Sequence, residues 1–227
     1  MGNGPGTLVE VAVGDDPAGW ASIGFTVDDH GLCRVGAVRI RLVGADDERG
    51  RGIVGWTLAG CTITGQDIDG LPTADLDPSP GAGAGTVDRG RHANGVTQID
   101  HLVVITPDLD RTTAAIEAAG IAARRTREAG HGRRQRFFRM GEVILEVVGP
   151  VAPAGGGPAT FWGFAFTVAD IGATAEHLAG RIGEPNPAVQ AGRRIATLRS
   201  GDEVSVPVAF MSAPGPGAPG RTGDAPR

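Results

Sequence analysis

The chain has 227 residues, 41% of them hydrophobic, and a formal net charge of −5. This composition is ordinary for a globular protein, and the acidic balance argues against an electrostatic nucleic-acid binder. No apolar stretch is long enough to span a bilayer, the start of the chain lacks the features of a secretory signal, and Cys33 and Cys61 form no disulfide framework or metal motif. We therefore expect a cytoplasmic protein without nucleic-acid or membrane partners.

The first 74 residues predict a degenerate structural unit. A strand over residues 8–13 is followed by a short helix at 17–22, with Trp20 and Ile23 as the expected core residues. Residues 53–58 predict a further strand, which fits the opening strand of another shortened unit, although the pattern does not fix its place. Residues 1–74 are thus expected to form an N-terminal βαβββ-like module.

Two segments are rich in Pro, Gly and Ala and lack hydrophobic periodicity. Residues 75–96 are predicted to be a linker, and residues 213–227 a disordered tail. Both predictions follow from composition alone.

The unit at residues 97–150 predicts one strand, a helix and three more strands. A run rich in β-branched residues at 99–106 predicts the first strand. Asp110 is positioned to cap the helix, which Gly120 ends in the left-handed conformation. The remaining strands are predicted at 121–127, 134–140 and 143–148.

A second copy of this pattern occupies residues 160–212. Gly192-Arg193-Arg194 precedes Gly201 almost as Gly132-Arg133-Arg134 precedes Gly141. A repeated unit of about 50 residues indicates a fold built by stacking copies. Residues 97–212 are therefore predicted to form a paired domain of an α+β protein made from βαβββ modules.

These residues resemble a known family. Asp100-His101-Leu102-Val103-Val104, then Pro107-Asp108-Leu109-Asp110, and finally Ile144-Leu145-Glu146-Val147-Val148 are similar to the vicinal oxygen chelate superfamily. This is the group of glyoxalase I, bleomycin-resistance proteins and extradiol dioxygenases. The resemblance covers residues 97–212, and more loosely 7–44. It implies cup-shaped mixed sheets around a cavity.

The resemblance also implies a metal site. Its first and fourth strands usually supply a divalent ion with His or Gln and Glu ligands, and here His101 and Glu146 match those positions. Gly163 takes the place of His101 in the following module, whose last strand offers Val206, Val208 and Phe210 in alternation. The expected site is therefore half complete, and the identity of the metal stays open. The N-terminal copy has Leu8 and Arg41 at the corresponding places.

Each candidate also has a purely structural interpretation. His101 fits a hydrogen-bonded histidine on a sheet face, and Glu146 fits an inward salt bridge. Arginines on the hairpin, Arg139 among them, fit exposed strand faces or a clamp for an anionic ligand. The aromatic residues fit the core, while Trp162 and Phe210 are candidates for the ligand-binding wall.

Two functions follow from the resemblance. The first is binding of a small, anionic or oxygen-rich molecule in the cup, with metal-assisted isomerase, lyase or dioxygenase chemistry. The alternative is a non-catalytic protein that sequesters its ligand, as bleomycin-resistance proteins do. Apart from these two functions, the repeated units could serve only as a scaffold for oligomerisation. Pairing of two copies as a homodimer stays open.

Overall fold

The computed structural model describes residues 6–76, 91–199, 201 and 203–215. The described residues form two mixed β-sheets and three short helices. Within them, no helix is long and apolar enough to cross a membrane.

The first half of the chain forms a six-stranded sheet, the small sheet. Its strands lie in the order β2-β3-β1-β4-β6-β5. Its elements are β1 (Thr7–Val13), α1 (Pro17–Ser22), β2 (Leu32–Val35), β3 (Val38–Leu42), β4 (Ile53–Ala59), β5 (Asp67–Ile68) and β6 (Leu71–Leu76).

The second half forms an eight-stranded sheet, the large sheet. Its strands lie in the order β12-β13-β14-β11-β7-β10-β9-β8. Its elements are β7 (Val96–Ile105), α2 (Leu109–Ala118), β8 (Ala123–Gly130), β9 (Arg133–Met140), β10 (Val143–Pro150), β11 (Thr160–Val168), α3 (Ile171–His177), β12 (Asn186–Pro187), β13 (Arg194–Thr197) and β14 (Val208–Ser212).

Both sheets are built by the same rule. The first strand of each unit pairs in parallel with its last strand, as β1 does with β3, β4 with β6, β7 with β10 and β11 with β14. The two first strands of each sheet then pair antiparallel, β1 with β4 and β7 with β11. The predicted α+β class with repeated modules is confirmed.

The two units of the small sheet are shortened. The unit from β1 to β3 has one strand fewer than the unit that starts at β7. In the unit from β4 to β6, the described residues 60–66 between β4 and β5 form no helix. The strand predicted at residues 53–58 is β4, and it opens the shortened second unit of its sheet, as the pattern suggested.

The helix after β7 begins two residues earlier than predicted. Asp108, not Asp110, is the N-cap, and its carboxylate accepts the backbone N–H of Arg111 at 3.0 Å. Asp110 lies in the first turn, where its negative charge interacts favourably with the positive end of the helix dipole. Gly120 ends this helix with φ of +91°, as expected for a left-handed stop residue.

Aromatic side chains join the two sheets in one core. Trp20 and Ile23 are fully buried, which confirms their predicted role. The Trp20 ring meets the Phe164 and Phe166 rings edge-on, with centroids 6.1 and 6.3 Å apart. The small sheet therefore packs on the large one through α1.

The predicted domain boundaries stay predictions. Among the described residues, buried side chains of both sheets belong to one continuous hydrophobic core. Much of the predicted linker, residues 77–90, and most of the predicted tail, residues 216–227, lie outside the described residues.

Candidate functional site

One face of the large sheet carries the two predicted ligands, and we call it the open face. Burial alternates along β10, where Leu145 points into the core and Glu146 to the opposite side. On β7, Leu102 points into the core, and His101, although also buried, lies on the side of Glu146. In the parallel pairing, His101 lies beside Ile144 and Glu146 lies two residues further on. Strand spacing then puts their Cα atoms about 8 Å apart.

His101 is held by its neighbour in sequence. The Nδ1 atom of His101 lies 2.7 Å from Oδ2 of Asp100, and both side chains are buried. Hydrogen bonding at Nδ1 leaves Nε2 available to a ligand, a proton or a metal.

Asp100 has a buried cation as a second partner. Nη1 of Arg193 lies 3.1 Å from each carboxylate oxygen, and the hydroxyl of Thr167 donates to Oδ1 at 3.0 Å. Burial alone would raise the pKa of Asp100, but the hydrogen bonds and charges of His101 and Arg193 outweigh it and hold that pKa well below its usual range. Asp100 is therefore an ionised carboxylate.

Glu146 has the opposite tendency. Burial raises its pKa, and the charges of His101 and Arg127 and a hydrogen bond from Gln135 offset only part of this effect. Nε2 of Gln135 donates to Oε1 of Glu146 at 2.5 Å. Glu146 therefore takes up a proton more readily than an exposed glutamate, which suits a general acid or base.

Phe137 connects these groups to an arginine. It faces Glu146 across β9 and β10, and its ring meets that of His101 nearly edge-to-face with centroids 6.3 Å apart. The Arg125 guanidinium lies 5.5 Å from the centre of the Phe137 ring. Sequence reasoning placed Phe137 in the core, but only the neighbouring Phe138 is there.

Two of the three predicted ligand-binding residues lie at the surface. Arg139 faces Ile144 beside His101, and its Nε donates to the carbonyl of Gly141 at 2.6 Å. Trp162 occupies a bulge in β11 and is 47% exposed. An exposed tryptophan of this kind is available to an apolar part of a ligand.

Phe210 is not available to a ligand on the open face. It is fully buried and packs near Phe166 in the core, with ring centroids 6.4 Å apart. In β14 it is Ala209, paired with Ala165, that points to the open face. The alternating Val206, Val208 and Phe210 mark the core side, because apolar alternation follows the buried face of a strand.

Gly163 explains why the second unit lacks a counterpart of His101. It lies opposite Val103 in the pairing of β7 with β11. A Cβ at this position would come within 2.3 Å of the Pro207 carbonyl oxygen. No side chain, and so no imidazole, fits here unless the backbone at Pro207, just before β14, moves.

The donor groups do not fit a metal held by protein ligands. His101 and Glu146 provide two ligands, whereas the matching positions of the second unit carry Gly163 and Ala209, which provide none. No group of three or more His, Cys, Asp or Glu side chains arranged to hold an ion occurs in the described part of the chain. Zinc sites in proteins use three or four such ligands, so we derive no chemistry through a metal.

The small sheet offers no second site of this kind. Leu8, which the sequence placed at the first-strand position, is buried in the core. The neighbouring Glu10 instead forms ion pairs with Arg39 and Arg41, at 2.9 and 2.8 Å. Although burial opposes it, these arginines lower the pKa of Glu10. A permanently charged, paired carboxylate is a poor acid–base group.

A shallow depression of about 280 Å³ lies at one end of the open face. It is found where β7 and β10 finish, and its walls include Ile105, Arg133 and Thr160. The depression is mostly apolar, and its polar side chains are those of Arg133, Thr106 and Thr160. It gives a ligand bound near Glu146 room to extend along the strands.

Sequence reasoning missed Asp100 and Arg193 as parts of the site. Asp100 was visible only as the residue before His101, and Arg193 as one arginine of a repeated Gly-Arg-Arg pattern. Arginine is mostly exposed in proteins, whereas Arg193 is 8% exposed. The signal that could have found this pair is the sheet pairing, which brings Thr167 and Arg193 to Asp100.

Comparison with known proteins gives a match in structure only. No family model and no curated protein matches the sequence. A xylose isomerase-like TIM barrel/4-hydroxyphenylpyruvate dioxygenase fusion protein is similar over 98% of this chain and 50% of its own, with a TM-score of 0.61 and 14% identity.

The chain has the vicinal oxygen chelate fold. At 14% identity the comparison, with its TM-score of 0.61, establishes the fold alone. Two methylmalonyl-CoA epimerases also match about half of the chain. The match with the enzyme from Mycobacterium tuberculosis covers 53% of this chain and 91% of that enzyme, at 18% identity and a TM-score of 0.43. The match with the enzyme from Streptomyces coelicolor covers 52% of this chain and 98% of that enzyme, at 23% identity and a TM-score of 0.43. We draw nothing further from matches at that score.

Proposed function

We propose that this protein binds a small, anionic, oxygen-rich molecule on the open face of the large sheet and moves a proton on it. The observation that carries the proposal is the pairing of two proton-carrying side chains, His101 and Glu146, on neighbouring strands. One is oriented by an ionised aspartate and the other has a raised pKa. Such a pair supports isomerase or lyase chemistry beside a carbonyl or carboxylate.

The charge around the pair favours an anion. Arg125 and Arg127 lie on β8 opposite Phe137 and Gln135, next to the row that holds Glu146. Arginine binds carboxylate and phosphate groups through two parallel hydrogen bonds. An anionic ligand between these strands would place its reacting carbon near Glu146.

Each side chain has one role in this reaction. His101, with Nδ1 hydrogen-bonded to Asp100, offers Nε2 as a base. Glu146 gives or accepts the second proton, and the arginines hold the anionic group. Phe137 excludes water from the space between them.

The test is solvent deuterium exchange. The protein is incubated in deuterium oxide with a panel of small 2-oxo, 2-hydroxy and dicarbonyl carboxylates, and loss of C–H signals is followed by proton NMR. We expect exchange with at least one compound, abolished in Glu146→Gln and in His101→Ala. Glu10→Gln, which changes a paired carboxylate of the small sheet, is the matched control and should keep the exchange.

Sequestration of a ligand without turnover is the second candidate. It is favoured by the apolar stretch of the open face, where Val103, Ile105 and Trp162 lie beside Gly163. Such a surface suits a ring system. Binding of a ring compound that His101→Ala retains, together with no exchange in the panel, would favour this candidate over the first.

A further inference from the structure

A β-bulge brings Asp100 and His101 together. In the pairing of β7 with β11, Ile99 lies opposite Phe166 and His101 lies opposite Ala165, so Asp100 is the extra residue of the bulge. Successive side chains of a regular strand point to opposite faces. The bulge re-aims one of them, and Asp100 reaches Nδ1 of His101 at 2.7 Å.

The other partners of Asp100 come from the second unit of the large sheet. Thr167 lies on β11, and Arg193 lies just before β13. Their side chains donate to the Asp100 carboxylate at 3.0 and 3.1 Å. Asp100 has no exposed surface, and a buried carboxylate needs such partners to remain charged.

Arg193 is itself fixed in place. Its Nε donates to the carbonyl of Ser212 at 2.7 Å, and its Nη2 donates to the hydroxyl of Thr167 at 3.3 Å. All three nitrogens of the guanidinium therefore donate within the protein. These bonds fix Arg193 in the position from which it supports the Asp100 carboxylate.

We propose that Asp100 is a positioning residue that fixes the tautomer of His101, and that Arg193 is the brace supplied by the second unit. An ionised carboxylate can only accept hydrogen bonds, so when the imidazole is neutral its proton must be on Nδ1. In that form Nε2 is unprotonated. The second unit, which has Gly163 in place of a histidine, thus contributes to the site by orienting the histidine of the first.

This inference rests on the proposed function only in that His101 is the group being oriented. The tautomer exists without a ligand and is measured without one. Failure to find a substrate would therefore leave it standing, and a wrong tautomer would be seen in the NMR spectrum whether or not any compound exchanges.

The experiment is ¹⁵N NMR of the imidazole nitrogens in the whole chain labelled with ¹⁵N-histidine, at neutral pH. His101→Gln identifies the His101 signals by their loss. We expect a protonated Nδ1 and an unprotonated Nε2 in the wild type. In Asp100→Asn, the amide can donate to Nδ1, and the proton should move to Nε2.

Arg193→Met supplies an independent measurement should Asp100→Asn fold poorly. Without the brace we expect His101 to become a mixture of both tautomers, with Arg193→Lys closer to the wild type. Arg194→Met is the matched control, because the Arg194 side chain is exposed and bonds the carbonyl of Pro185 instead. It should leave the His101 signals unchanged.

Two outcomes would overturn the proposal. One is a wild-type His101 with the proton on Nε2. The other is a tautomer that stays the same in a folded Asp100→Asn and in Arg193→Met. With a substrate from the exchange panel, a positioning role further requires that Asp100→Asn lower kcat by a larger factor than it changes KM, which general destabilisation would not produce.

Discussion

The carboxylate of Asp15 accepts the backbone N–H of Ser205, 190 residues away in the chain, at 3.1 Å. The same carboxylate accepts the indole N–H of Trp20 at 3.1 Å and lies 3.3 Å from Nη2 of Arg51. Asp15 is fully buried. One side chain thus links the two ends of the described chain through the turn that leads into β14.

Asp15→Ala should lower the free energy of unfolding by about 3 kcal/mol, because it leaves buried donors without an acceptor. Urea denaturation followed by tryptophan fluorescence measures the change. Asp46→Ala, at an exposed aspartate in a loop of the small sheet, is the control and should change stability little. A loss below 1 kcal/mol in Asp15→Ala would show that water replaces its partners.

Gly163→Ala should destabilise the protein by about 2 kcal/mol, because the new Cβ overlaps the Pro207 carbonyl oxygen and forces β11 and β14 apart. Thermal unfolding by circular dichroism is the measurement. Gly183→Ala has open space around the new Cβ and serves as control. Equal melting temperatures for the two variants would contradict the close approach.

His92 should make stability depend on pH. Burial lowers its pKa, partly offset by the hydrogen bond to the Arg34 carbonyl, and its Nδ1 accepts the backbone N–H of Thr26 at 3.0 Å. The folded pKa is thus below the unfolded value of about 6.5. The stabilisation is complete above pH 6.5 and is lost as pH falls through the folded pKa.

The measurement for His92 is urea denaturation at a series of pH values from 7.5 to 5. In His92→Gln, whose amide can replace both hydrogen bonds without titrating, the loss of stability on acidification should be smaller than in the wild type. Parallel curves for the two proteins would assign the pH dependence to other groups.

Metal binding should be weak. After exposure to iron, manganese, nickel, cobalt or zinc and removal of free ions, elemental mass spectrometry should find far less than one ion per chain, because no group of three or more His, Cys, Asp or Glu side chains in the described residues is arranged to hold an ion. Near-stoichiometric binding that Glu146→Ala abolishes would instead mean that another group completes the site. His131→Ala is the control, since this histidine lies in the exposed turn between β8 and β9.

The repeated units could be predicted from the sequence because the same glycines and apolar runs recur at matching intervals. Gly120 and Gly141 have φ of +91° and +65°. Glycine adopts positive φ without steric cost, so the presence of glycine at these places predicts the turns. The strands at 99–106 and 143–148 were predictable for a similar reason, since their apolar residues alternate or run together.

Register could not be predicted in the same way. Assigning Phe210 to the cup assumed that alternating large residues face a ligand, whereas here they face the core and Ala209 faces outward. The contact of Asp100 with Arg193 spans 93 residues and depends on how β7, β11 and β14 pair. Local pattern carries no information on that pairing.

The close approach of Pro207 to Gly163 limits what protein engineering can do with the second unit. A single substitution cannot place a histidine there, because the backbone at Pro207, just before β14, would have to move as well. A symmetric variant with a histidine in each unit therefore needs at least one further change near Pro207.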